Sequence, residues 1–294
     1  MSFRLSEEYE VKDRTYRGHG RVENDFRETL RISRTVATLR YGLTDDWSLE
    51  VGLSNPRFAY ALTPPGGSRT KRTFRGPGDS EVLVGRSFLL SEPDEADDLR
   101  LFPEFDDPPV LGSAVPPDAE DVRGPRLSVW AGTSIPTGSA ERPNPEVVTR
   151  DVSVTNLQTG TGTFDPMLRA RLDLPALGVD WFAELGARVP VVENRYDYRT
   201  GASVGVVVGG RVPLVEGLDA GLAVTWQDVD RDEFDGENVA VGGGRWIYVT
   251  PSIAWEIAER VTLDVSVRIT AVRDVETKLV DSGRSVQVGL NWRF

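Results

Sequence analysis

Three observations in the sequence predict an all-β chain closed into a transmembrane, antiparallel, up-and-down β-barrel of about twelve strands. Apolar and polar residues alternate over segments of about ten residues, the length a tilted strand needs to cross a bilayer. Short turns and longer polar connections follow one another in alternation. Tryptophans gather toward the ends of the alternating segments.

FRLSEEYEV reads as the first strand. LRISRTVATLRYGL and EVLVGRSFLL also read as strands, but Arg34 and Arg86 fall on the face otherwise taken as apolar. A bulge or register change is the expected cause. WSLEVGL sets Trp47, Leu49, Val51 and Leu53 outward against Ser48, Glu50 and Gly52. LSVWAGTSI alternates more weakly. FDPMLRARLDL opposes Phe164, Leu168, Ala170, Leu172 and Leu174 to Asp165, Arg169, Arg171 and Asp173. VDWFAELGARV, ASVGVVVGGRVPL, LDAGLAVTW, WIYVTPSIAWEI and VTLDVSVRITA continue the pattern. SVQVGLNWRF ends it, with Val286, Val288, Leu290, Trp292 and Phe294 on one side. Helical periodicity is nowhere convincing.

The short connections are GLTDD (42–46), PALG (175–178), VEGLD (215–219) and AERV (258–261). Longer polar ones lie near 13–27, 61–79, 137–162, 191–200, 228–244 and 273–283. Short turns on one rim and long loops on the other fit an outer-membrane barrel with both termini on the short-turn side. Residues 91–125 fall on the short-turn side yet are long, acidic and Pro-rich. They read as a solvated insertion in a single domain spanning 1–294, or as a segment that folds back to obstruct a pore.

Composition agrees. The mean hydropathy of −0.30 hides a membrane barrel, whose apolar residues are diluted by alternation. The net charge of −12 argues against a nucleic-acid partner. Cysteine is absent, which excludes a disulfide framework and a thiolate metal site. MSFRLSEEYE lacks the apolar core of a signal peptide, so the chain is expected to be a mature form or a truncated one.

The faces carry the functional expectations. Trp47, Trp181, Trp255, Trp292 and Phe294 near short-turn ends, and Trp226 near a long-loop end, are expected to form aromatic girdles in outer-membrane lipid. The inward side chains Glu50, Arg169, Arg171, Asp173, Glu184, Arg188, Arg211, Glu256, Asp264, Arg268 and Arg293, with Arg284, are expected to line the lumen. Buried charges are costly unless paired or hydrated, so they brace the wall as ion pairs or select solutes at a constriction.

Chemistry beyond this is sparse, and no enzyme, cofactor or metal is expected. His19, the single histidine, sits in RGHGRVEND without a hydrolase signature, although some twelve-stranded barrels are phospholipases. DVDRDEFDGEN begins with calcium-loop spacing but has Glu233 and Val239 where Gly and Glu are needed. A weaker calcium site from Asp230, Asp232, Asp235 and Glu237 stays open beside a hydrated acidic loop. GPGD (76–79) lacks the lysine and helix of a phosphate loop and reads as a turn before a strand.

VQVGLNWRF, ending in Phe294, resembles the C-terminal signal that barrel-assembly machinery reads. Gly42–Asp45, Gly76–Asp79, Pro136–Gly138 and Gly160–Pro166 stand as a GLTD turn, a GxGD strand start, a PTG strand end and a GTGxxDP-like start. Over about residues 40–294 the chain resembles the transporter-like barrels of the phenol-degradation meta-pathway family, departing at 91–125. That resemblance implies an outer-membrane channel or passive transporter for small solutes, with hydrophobic or aromatic compounds as one class. The alternative is a non-transporting structural or surface-binding barrel with a salt-bridged, closed lumen.

Overall fold

The computed structural model describes residues 1–24, 27–90, 124–140, 159–239, 243–281 and 283–294. In chain order its strands are β1 (Ser2–Lys12), β2 (Arg14–Gly18), β3 (Gly20–Val22), β4 (Thr29–Gly42), β5 (Trp47–Leu62), β6 (Thr70–Arg75), β7 (Ser80–Leu89), β8 (Arg126–Ile135) and β9 (Asp165–Ala176). They continue as β10 (Val179–Arg188), β11 (Tyr198–Arg199), β12 (Ser203–Val215), β13 (Leu218–Val229), β14 (Glu233–Phe234), β15 (Glu237–Asn238), β16 (Gly244–Ala258), β17 (Val261–Asp281) and β18 (Arg284–Arg293).

Twelve of these close a ring in the order β1, β4, β5, β7, β8, β9, β10, β12, β13, β16, β17, β18. Closure is made by β1 against β18, from Ser2 opposite Arg293 to Glu10 opposite Ser285. The amide of Phe294 adds a bond to the Met1 carbonyl at 3.0 Å. Closure matters because an open edge would leave amides without partners in hydrocarbon. The alternation then has one consistent meaning. Leu5, Leu53, Leu168, Trp181, Leu222, Ile253, Val265 and Val288 are exposed on the outside, while charged and small polar residues are buried within.

The four short turns are where the sequence places them. One of the two-residue turns joins β9 to β10 through Leu177 and Gly178, both at positive φ (57° and 72°), the twist such a hairpin needs. At the base of β7 and β8 the Leu90 amide bonds the Pro125 carbonyl at 2.8 Å. The insertion expected between them is outside the described residues from 91 to 123.

Three expectations need correction. First, stretches read as loops at 13–27, 61–79 and 273–283 carry strand: β2 and β3 in the first, β6 in the second and the end of β17 in the third. β17 runs for 21 residues, about twice what a bilayer requires, and β2 pairs its upper part. β6 likewise continues the wall above β7, paired to the upper half of β5. Second, Arg86 needs no bulge, because β7 keeps unbroken register with β5 and β8. It stays outward near the short-turn rim, 3.8 Å from Asp46 and over the rings of Trp47 and Phe88. A long guanidinium stem can lie along apolar wall while its head reaches the interface. Third, the face holding Leu30, Ile32, Arg34 and Val36 points inward. Register with β1 and β5 turns Leu39 and Tyr41 outward instead, so the apolar residues of upper β4 line the lumen.

Candidate functional site: the lumen

Every one of the twelve wall strands contributes inward side chains that are almost inaccessible to water. Near the short-turn end they form an ion-paired floor. Arg40 and Glu50 are cross-strand partners on β4 and β5, and Arg40 Nη2 donates to Glu50 Oε2 at 2.9 Å. Arg169 Nη2, from β9 across the lumen, donates to the same oxygen at 3.0 Å. Both guanidiniums stack against the Trp130 ring, Arg40 at 5.1 Å and Arg169 at 4.5 Å from its centroid. Trp130 is 1% exposed. Its room comes from Gly85, its cross-strand partner on β7, where a Cβ would sit 1.9 Å from the indole. Leu83 and Met167 complete this packing.

A second cluster adjoins it. Arg171 Nε donates to Asp173 at 2.8 Å, lies 3.7 Å from Glu184, and stacks over Phe182 at 4.7 Å. On the opposite wall Asp264 accepts from Arg4 Nη2 at 3.3 Å and from Asn291 Nδ2 at 2.8 Å. Arg211 is the cross-strand partner of Asp180. Glu256 and Arg293 sit at the lower rim, paired in register with Thr262 and Ser2. Glu50 thus sits between two cations at the base of the open part of the lumen. Low dielectric makes each pairing strong and each orphaned charge expensive.

Toward the long-loop rim the lumen widens into a vestibule of about 630 Å³. Eight carboxylates line it (Glu8, Glu10, Glu50, Asp79, Glu81, Asp230, Asp232 and Asp281), against four cations (Lys12, Arg34, Arg188 and Arg268). Arg268 Nη2 donates to Glu8 at 3.0 Å and its guanidinium lies 4.9 Å from the Tyr248 ring. Asp281 accepts from Trp246 Nε1 at 3.0 Å and lies 3.4 Å from Arg273. Ile32, Val36, Phe58 and Trp246 give the same cavity an apolar share.

The turn motifs converge on one side of this vestibule. Asp79, the end of GPGD, accepts from the Gly138 amide at 3.1 Å and the Thr161 amide at 2.7 Å. Asp165 accepts from Thr161, Thr163 and Ser134 hydroxyls and pairs with Arg188, whose Nε donates at 3.1 Å. The glycine- and proline-marked segments therefore knit the tops of β7, β8, β9 and β10 together.

All eleven charged residues expected in the lumen face inward. Arg284 does not: it shares a face with Val286 and is exposed, because Ser285, Gln287, Gly289 and Asn291 take the inward positions of β18. The six aromatic residues expected on the outside are all exposed there. Trp130, Arg40, Arg4, Glu8 and Asp281 were missed. Parity along LSVWAGTSI puts Trp130 with Ser128 and Gly132, a signal that could have found it.

His19 lies in the β2–β3 turn, largely exposed. Its Nδ1 is 2.6 Å from the Arg273 carbonyl and its Nε2 is 3.8 Å from Asp274, with no serine among its hydrogen-bond partners. The Asp232 carboxylate is occupied by the Tyr198 hydroxyl and by the Gly201 amide at 2.8 Å. Burial pushes its pKa up, against the pull of those two donors. Among the described residues no group of three acidic, histidine or cysteine side chains is placed to hold a metal, so the calcium arrangement considered for this loop is not assembled.

No protein-family model and no curated protein matches this sequence. Solved structures do. An outer membrane channel from Pseudomonas putida F1 superposes with a TM-score of 0.64 at 14% identity, covering 100% of this chain and 94% of that one. A Pseudomonas aeruginosa FadL homologue gives 0.47 at 7% identity, covering 100% and 90%. The translocator domain of the autotransporter NalP from Neisseria meningitidis gives 0.45 at 10%, covering 100% and 89%. The fold of this chain is that of an outer-membrane β-barrel.

Proposed function

We propose that this protein is an outer-membrane channel that admits small solutes to its vestibule from the long-loop, outward rim and passes them through a narrow, ion-paired floor. The observation that carries the reading is the 630 Å³ vestibule standing directly on the Arg40–Glu50–Arg169 cluster. Passage is passive and non-enzymatic. The carboxylate excess around the vestibule favours cations and neutral solutes over anions. Aromatic compounds fall within its range, since Phe58, Trp246 and Tyr248 offer ring faces there. The C-terminal strand, ending at an exposed Phe294, serves as the segment the assembly machinery engages.

The dry floor favours one rival, a structural barrel whose lumen never opens. Planar-bilayer recordings separate the two. A channel gives small single-channel steps in the native protein, and Trp130→Ala enlarges them by removing the ring on which both guanidiniums stack. Silence from both proteins, each shown folded, would leave only the closed barrel.

A further inference from the structure

The outward surface is apolar around most of the barrel, but it changes character on β4, β5 and β6. Along β5 the outward residues run Trp47, Leu49, Val51 and Leu53, then Asn55 and Arg57. Along β4 they run Tyr41, Leu39 and Ala37, then Thr35, Ser33 and Arg31. Arg57 pairs with Ser33 on one side and Arg75 on the other, so Arg31, Arg57 and Arg75 share one face. All three are exposed, and none is ion-paired to a described residue.

Their height is informative. Arg57 is ten residues above Trp47 on β5, and Arg31 ten residues above Tyr41 on β4. At a rise of ~3.3 Å per residue and a strand tilt of ~40°, ten residues climb about 25 Å, the height of the apolar band of such barrels. The three guanidiniums therefore stand where acyl chains give way to headgroups on the long-loop side. The chain carries a net charge of −12, so three adjacent cations without an ion-pair partner among the described residues are not a general surface property. Guanidinium forks suit phosphate oxygens in geometry as well as charge.

We propose that Arg31, Arg57 and Arg75 form a binding site for the phosphate groups of an outer-leaflet glycolipid of the lipid A type, held against the β4–β5–β6 wall. The acyl chains would lie on Leu39, Leu53 and Val51 below, and Asn55 and Ser33 would meet the sugar. The site depends on the outer-membrane orientation but not on conduction, so a failure of one leaves the other intact.

The test is native mass spectrometry of the full chain in detergent, titrated with bis-phosphorylated lipid A or with the same lipid A stripped of phosphate. The wild type should bind the phosphorylated form and discriminate strongly against the stripped form. Arg31→Gln/Arg57→Gln/Arg75→Gln should weaken the phosphorylated complex roughly a hundredfold while keeping the heat-modifiable gel mobility of a folded barrel. The stripped-lipid arm needs no variant, so misfolding cannot decide the result. Equal binding of both lipids, or undiminished binding by the folded triple variant, overturns the proposal. So does efficient disulfide dimerisation through Asn55→Cys in native membranes, because a second copy would then cover this face.

Discussion

At the floor of the lumen one carboxylate, Glu50, is shared by two guanidiniums that both stack on Trp130; in the vestibule above, seven further carboxylates face four cations around open space. Both regions are inward faces of the same strands and draw on the same residue types. They differ in what surrounds the charge. The floor is filled by Trp130, Leu83, Met167 and Phe182, so its charges hold by pairing. The vestibule is open, and its lining carboxylates outnumber its cations. Ion pairs therefore brace the narrow level, while the charge selection proposed for the channel would act above it.

That contrast can be broken most strongly at Glu50. Replacing it by Ala leaves Arg40 and Arg169 facing each other in a dry site. A loss of about 3–5 kcal/mol is expected, read as a lower midpoint of heat-modifiability on gels. The packing half of the floor is tested by Gly85→Val, whose side chain collides with Trp130. A cost of about 1–3 kcal/mol should appear in the same assay, and pairing with Trp130→Ala should return most of it.

The vestibule should respond in the opposite way. Asp230→Asn, at an exposed lining residue, is expected to change stability by less than about 1 kcal/mol. It should shift the reversal potential under a salt gradient toward lower cation preference. An unchanged reversal potential would move charge selection down to the floor.

The smallest effect belongs to the outer loops. Burial raises the pKa of Asp232 above that of the unfolded chain. Its contribution to loop stability is then fully present below the unfolded value and is lost as pH rises through the folded one. Hydrogen exchange at Gly201 should accordingly speed up as pH increases across that window, beyond the intrinsic rate change. Asp232→Asn should remove this extra dependence.

Twelve strands, the short turns and the two faces were readable because a membrane wall imposes a strict period of two over ten residues. The rule holds even for the weak LSVWAGTSI segment. It misled at β4, where Leu30, Ile32 and Val36 look lipid-facing but line the lumen, whereas Arg284, expected inward, obeys it by sharing the outward face of Val286. At 14 residues β4 exceeds the roughly ten a bilayer requires, and toward its upper end hydrocarbon no longer forces apolar residues outward. Near 271 the register shift between Ile247 and Tyr248 adds a further phase change that buries Arg273.

Which charges lie inside follows from local alternation, and the chain alone determined that. Which charge meets which does not, because Glu50 and Arg169 are 119 residues apart and Arg4 and Asp264 are 260 apart. Their meeting depends on strand order, on closure of β1 against β18 and on the stagger around the ring. The closed floor, the open vestibule and the cationic face at headgroup height are products of that three-dimensional register. A period-two pattern carries no information about height or about the opposite wall, so only the folded barrel could decide them.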